Sequence, residues 1–223
     1  EGSGVVVDVG EGVDRSLLGY HVSFWENGWA TYCVRDSKSV MHLSKSIDLK
    51  TAANSYINPL TSCGFLYVAK NTHKSAGAIM TAGSSNLSRL FTKYAEANHM
   101  KVINIVRSTA AKELMESRYH QKYVVILNEE VQEKALLEKY IQEIQPKVVF
   151  DALSGLLGGQ ILEKMQADSQ MVSIGNLTSQ PIILNSNDLR WNNKKVSSFM
   201  VNRWLAELPD AVRFEQFKSV ERG

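Results

Sequence analysis

The chain has 223 residues, 44% of them hydrophobic and 22% charged, enough to bury one sizeable core or two modest ones and too apolar for intrinsic disorder. Lysine and arginine total 25 against 23 acidic residues, a formal net charge of +2, and so even a balance gives no reason to expect nucleic acid or an anionic membrane as the main partner. No apolar run approaches the roughly 20 residues of a spanning helix, and the two cysteines, Cys33 and Cys63, allow one disulfide at most and no metal cluster.

A reducing, intracellular setting follows as the simplest expectation, cytoplasm and mitochondrial matrix being equally compatible. No initiator methionine precedes Glu1, and residues 4–9 already read as a strand, so the chain is expected to begin inside a folded unit. Strand-like runs at 5–9, 21–25 and 29–34 predict a small antiparallel β region, with Asn27-Gly28 as a hairpin turn because both residues tolerate positive φ. Residues 51–70 read as helix interrupted at Asn58-Pro59.

Beyond that point β-rich runs at 78–82, 102–106, 123–127, 148–153, 171–174 and 196–201 alternate with helical patterns. Leu87, Leu90, Phe91 and Tyr94 recur at helical spacing, as do Leu136, Leu137, Tyr140, Ile141 and Ile144. Such alternation predicts an α/β fold, a doubly wound parallel six-stranded sheet of the Rossmann type, because parallel neighbours need crossover connections. Residues 206–223 fit a final helix better than a strand. The charged stretch Glu129-Glu130, Glu133-Lys134 and Glu138-Lys139 reads as a solvated helix face with i, i+4 support.

In an open parallel sheet the ligand crevice lies at the carboxyl ends of the strands, and the first strand-to-helix turn usually carries the phosphates. That turn is Ala82-Gly83-Ser84-Ser85-Asn86-Leu87-Ser88. It keeps only Gly83 of a Gly-x-Gly-x-x-Gly pattern, and small serines and Asn86 serve in part for the rest. A serine-rich helix cap with no ligand is the competing reading. The second strand ends in Arg107-Ser108, where enzymes that prefer the cofactor without a 2′-phosphate carry an acid. A guanidinium there favours NADPH through charge-assisted bonds, unless it is simply a solvated arginine.

In this order the residues resemble the medium-chain dehydrogenase/reductase superfamily, in its zinc-independent quinone-oxidoreductase and enoyl-reductase branch. The resemblance rests on residues 4–12, on Gly28-Trp29-Ala30-Thr31-Tyr32, on Asn58-Pro59-Leu60-Thr61, on the Ser-Asn-Leu variant of the phosphate turn, and on the segments 102–107, 150–155 and 171–175. It implies a partial antiparallel segment of the GroES-like catalytic barrel at 1–52, a Rossmann domain at 53–204 and a return toward the catalytic domain at 205–223. It further implies that Thr61 contacts the nicotinamide ribose, Gly83, Ser84, Ser85, Asn86, Leu87 and Ser88 the pyrophosphate, and Arg107 with Ser108 the 2′-phosphate. Ala152, Ser154, Gly175 and Asn176 would flank the crevice, and Phe199 and Val201 would pass beside the nicotinamide. Ser88 stands where the family has the last glycine of the turn, and its side chain is expected to crowd either the helix or the pyrophosphate. More barrel is expected before the point corresponding to Glu1, where the branch's proton-donating tyrosine would lie, and after Trp204, so no catalytic acid transfers to this chain.

The five histidines show no ligand spacing and no metal is expected. Cys63 reads as a buried thiol before it reads as a reactive one, and Tyr32 and Tyr56 as packing groups before proton donors. The function expected is transfer of hydride from NADPH to a quinone or conjugated enoyl substrate, a small molecule, with no nucleic acid and no membrane span. The alternative is a non-catalytic Rossmann-type accessory subunit of a larger assembly. By analogy with the family, a homodimer would form through the sheet edge at 196–204.

Overall fold

The computed structural model describes residues 1–128 and 130–222, and the chain divides into two compact units. One comprises Glu1–Cys63 with the residues from Trp204 onward, the other Gly64–Arg203.

In the first unit β1 (Gly2–Val5), β2 (His21–Phe24) and β3 (Met41–Leu43) form an antiparallel sheet in that order. Two expectations are corrected here. The first strand ends at Val5 rather than running over 5–9, and 29–34 forms no strand. The turn itself exists, since Glu26 and Asn27 take φ of 70° and 41°. Gly28 is needed there because a Cβ would lie 2.5 Å from the Glu1 carbonyl oxygen. The run that follows has no face to bury, however, and leaves Trp29, Tyr32 and Val34 in solvent. The third strand comes instead from the serine- and lysine-rich residues 35–46, where Met41 and Leu43 alternate inward about His42. Asp48 caps α1 (Leu49–Ala52), accepting from the Thr51 amide at 3.0 Å. The helix break falls at 53–56. Asn58-Pro59 sits inside the first turn of α2 (Ile57–Tyr67), where a missing N–H costs no helical bond.

The second unit alternates β4 (Gly77–Met80), α3 (Asn86–Ala97), β5 (Lys101–Val106), α4 (Thr109–Ser117), β6 (Val124–Ile126), α5 (Lys134–Ile144), β7 (Val148–Asp151), α6 (Leu157–Lys164), β8 (Gln170–Ser173), α7 (Ser186–Trp191) and β9 (Lys195–Ser198). All six predicted strands are present in one parallel sheet of order β6-β5-β4-β7-β8-β9. The last is shorter than 196–201, because Val201 opens α8 (Val201–Glu207). α9 (Asp210–Arg222) follows, helical as its composition indicates.

The central strands β4 and β7 are wholly buried, as a sheet covered on both faces requires. On one face Phe65 stacks on Phe150 at 4.1 Å between ring centroids, and Phe91 meets both rings edge-on at 5.5 Å. On the other, Leu137, Ile141 and Ile144 of α5 and Ile161 and Leu162 of α6 pack on Ile79, Ile103 and Val149. Each such side chain contributes about 1.5–3 kcal/mol on burial.

Two charged features differ from a plain solvated face. Glu133 precedes α5 and pairs with Lys112 of α4 at 2.9 Å, while Glu138 pairs with Lys164 of α6, so these acids bridge elements rather than turns of one helix. Glu129 lies outside the described residues. Lys194, 5% exposed, donates to the carbonyls of Leu162 and Glu163 at 2.8 and 3.1 Å and pairs with Asp188 at 2.9 Å. It thereby ties α6 and α7 to the start of β9, whose own four residues are all exposed.

Candidate functional site

Strand order reverses between β4 and β7, and the turns leaving β4, β5, β7 and β8 gather at their carboxyl ends. After β4 the chain bends sharply at Ala82, with φ 49°. The Gly83 amide then donates to the Ile105 carbonyl at 2.7 Å. A Cβ on Gly83 would lie 2.9 Å from the Asn104 carbonyl carbon and the Ile105 nitrogen, so only glycine lets the turn lie against β5. Ser85 caps α3, its Oγ accepting from the Ser88 amide at 3.2 Å, and its carbonyl takes the Arg89 amide at 3.0 Å. Among the described residues no backbone or side-chain acceptor is recorded for the Asn86 and Leu87 amides, two of the donors that a helix start leaves without an intrahelical partner, at the positive end of a three-turn helix.

Ser88 faces inward. It is fully buried, and its hydroxyl donates to Asn104 Oδ1 at 2.7 Å. Thr92 completes the cluster, donating to the Ser88 carbonyl at 2.8 Å and accepting from Asn104 Nδ2 at 3.2 Å. The expected crowding is therefore absent at this helix: the extra side chain is absorbed by a polar residue in β5, and the hydroxyl is not presented to the rim. Leu87 likewise turns its side chain into the core beside Phe91, leaving only its amide for a ligand.

At the end of β5, Arg107 is exposed and no described residue pairs with its guanidinium. Its carbonyl accepts from Asn128 Nδ2 at 2.9 Å, which fixes the backbone and leaves the side chain to solvent. Ser108 caps α4, accepting from the Ala111 amide at 3.2 Å, so its hydroxyl hydrogen remains available. The neighbouring cation on α3, Arg89, is by contrast committed: it stacks on Tyr119 at 4.6 Å and donates to the tyrosine hydroxyl. Beside the rim, burial raises the Glu133 carboxyl but the Ile126 amide, 2.7 Å away, and Lys112 outweigh it and hold the group below the usual carboxylate range.

The opposite wall is built by the loop after β7. Asp151 is fully buried and accepts from Thr81 Oγ1 at 2.7 Å and from the Ser154 amide at 2.9 Å. Ser154 and Gly155 take φ of 64° and 70°, and Ser154 Oγ donates to the Gly175 carbonyl at 3.1 Å. The Ala152 carbonyl accepts from the Leu177 amide at 3.0 Å, and a Cβ on Gly175 would stand 3.1 Å from that same oxygen. Asn176 is exposed. Phe199 packs edge-on against Phe65 at 5.3 Å and covers Gly64, and Val201 is buried at the start of α8.

Gly83, Ser84, Ser85, Asn86, Arg107, Ser108, Ala152, Ser154, Gly175 and Asn176 thus share the carboxyl rim of one sheet. Thr61 is buried on α2 in the first unit, as is Cys63, and Tyr56 there donates to the Ser39 carbonyl at 3.4 Å. Sequence reading missed Asn104, Thr81 and Asp151. Asn104 interrupting an apolar strand was the available signal, since a buried amide needs partners. Among the described residues no group of three or more His, Cys, Asp or Glu side chains could hold a metal, and no helix is long and apolar enough to cross a membrane.

No protein-family model matches the chain. A bovine mitochondrial enoyl-[acyl-carrier-protein] reductase is 24% identical over 209 residues, 92% of this chain. The chain spans 56% of that relative's length. Among solved structures, a Mesorhizobium loti protein assigned as an NADPH:quinone reductase superposes with a TM-score of 0.85 at 23% identity, covering 99% of this chain and 65% of its own. The heterodimeric mitochondrial 2-enoyl thioester reductase of Candida tropicalis gives 0.82 at 17% identity, with 99% and 66% covered. These likenesses establish the fold of both β regions.

Proposed function

We propose that this chain, whose homologues are the zinc-independent enoyl reductases and quinone oxidoreductases of the medium-chain dehydrogenase/reductase superfamily, is an NADPH-dependent oxidoreductase acting on enoyl or quinone substrates. The observation that carries the reading is the presence on one sheet rim of two helix-start amides and a guanidinium that have no partner among the described residues. The amides of Asn86 and Leu87 bind the pyrophosphate, and Gly83 supports the reading because its missing Cβ lets the turn sit low against β5. Arg107, with the Ser108 hydroxyl, binds the 2′-phosphate. Ala152, Ser154, Gly175 and Asn176 line the far wall. Ser88 is assigned to helix packing and Leu87 to its amide alone.

When bound, the reduced nicotinamide supplies the hydride; the residues of this chain bind and orient it and exclude water from it. The test is calorimetric titration with NADPH and NADH. Micromolar NADPH affinity with weaker NADH binding is expected, and millimolar or NADH-preferring binding overturns the reading. Turnover is then measured with quinones and enoyl thioesters. Nucleotide binding without turnover on any of them would replace the enzyme reading with that of an accessory subunit.

The same reading makes β9 the seam between two copies, since among the described residues no strand pairs with its outer edge, Trp191 and Met200 are exposed beside it, and the Candida relative is a dimer. Light scattering should give twice the monomer mass. The bovine relative's name supports a mitochondrial setting, which subcellular fractionation would check.

A further inference from the structure

Where the sheet order reverses, the ends of β4 and β7 are joined by side chains rather than by backbone alone. Thr81, the residue after β4, is fully buried. Its Oγ1 donates to Asp151 Oδ1 at 2.7 Å and accepts from the Ala152 amide at 2.8 Å. The Asp151 carboxylate also accepts from the amides of Leu153 at 3.3 Å and Ser154 at 2.9 Å. A buried carboxylate persists only where hydrogen bonds replace water, and three protein donors meet that need here. They come from both sides of the crevice: Thr81 directly precedes the Ala82–Ser85 turn, and Leu153 and Ser154 belong to the wall facing it. Ser154 extends the chain of contacts to Gly175 beyond β8, at 3.1 Å.

We propose that Thr81 is a positioning residue, whose single hydroxyl locks the turn before α3 to the loop after β7 and so sets the separation of the two walls between which the nucleotide lies. The inference rests on the nucleotide-binding reading above. Thr81 is itself out of a ligand's reach, so its effect on binding passes through the walls. Replacing the hydroxyl by a methyl group of the same shape leaves the Ala152 amide without an acceptor and Asp151 Oδ1 with only its longest bond. The residues that shift to recover those bonds are the ones that line the site. Binding that depends on placement to within about an ångström is sensitive to such a shift.

The experiment compares Thr81→Val and Thr81→Ser in the full chain, by NADPH titration and by amide hydrogen exchange. NADPH affinity should fall about tenfold in Thr81→Val, a change of roughly 1.4 kcal/mol, and return to within about twofold of the parent in Thr81→Ser. In the unliganded protein, exchange should accelerate in both 82–88 and 152–155 for Thr81→Val and in neither for Thr81→Ser. Should Thr81→Val not fold, Thr81→Ala, which admits a water beside the Ala152 amide, takes its place. Unchanged affinity in a variant without the hydroxyl, affinity in Thr81→Ser as weak as in that variant, or faster exchange confined to one segment overturns the lock. Failure of the parent chain to bind NADPH overturns the nucleotide reading instead, and the exchange data then decide the lock by themselves.

Discussion

Ser88 of α3 and Asn104 of β5 share a 2.7 Å hydrogen bond with neither side chain exposed. The contact explains how a serine sits where close helix–strand packing would otherwise suit glycine. Asn104 presents an acceptor at the one place where the extra oxygen arrives, and Thr92 satisfies the rest of the amide.

Ser88→Ala should therefore destabilise the protein by about 1–3 kcal/mol, the cost of leaving the Asn104 oxygen with only the 3.3 Å contact from Thr92. Urea unfolding read by circular dichroism measures it. The double replacement Ser88→Ala with Asn104→Val should cost less than the sum of the two single changes, since no polar group is then stranded.

On the proposed role of Arg107, its replacement by alanine should weaken NADPH by about 1.5–3 kcal/mol and leave NADH nearly unchanged, because the charge-assisted contact removed would be one that only the 2′-phosphate uses. Parallel titrations with the two cofactors separate this from general damage to the rim, which would weaken both.

Gly83→Ala places a methyl group against the backbone of Asn104 and Ile105, atoms that cannot swing aside as a side chain can. The turn must lift from β5, breaking the 2.7 Å bond from Gly83 to Ile105. Lower thermal stability together with lost NADPH binding is the expected outcome, and a melting curve with and without NADPH records both.

Glu133 gives a pH dependence whose sign is fixed. Its folded-state pKa lies below the ordinary 4.5, so the stability it contributes is fully present above that value and is lost as pH falls through the depressed folded value. Protonation weakens the bond from the Ile126 amide and dissolves the pair with Lys112, two of the contacts that fasten β6 and α4 to the start of α5. The difference in stability between the parent and Glu133→Gln should be steady near neutral pH and shrink below about pH 4.5. Denaturant titrations across that range test it.

The parallel sheet was legible because its central strands are short, largely apolar runs, buried on both faces in β4 and β7, and are separated by helices of clear period. The antiparallel region was not. Met41-His42-Leu43 is only three residues long within a polar stretch, and the more conspicuous run at 29–34 carries large side chains that find nothing to cover them. At the site, Gly83, the Ser85 cap and Arg107 could be read from type and position. The inward turn of Ser88 could not, because it depends on Asn104, sixteen residues away, arriving at the matching height on the next strand. Thr81 and Asp151 are seventy residues apart and meet only through the reversal of strand order.

The buried lysine at the foot of β9 decides which part of that edge tolerates change. Lys194 secures that strand from behind, through α6 and α7, and removing it would strand the charge of Asp188. The four residues of β9 are held by their backbone ladder to β8, and all four are exposed. Substitution of their exposed side chains therefore leaves the backbone bonds that hold the sheet's edge untouched.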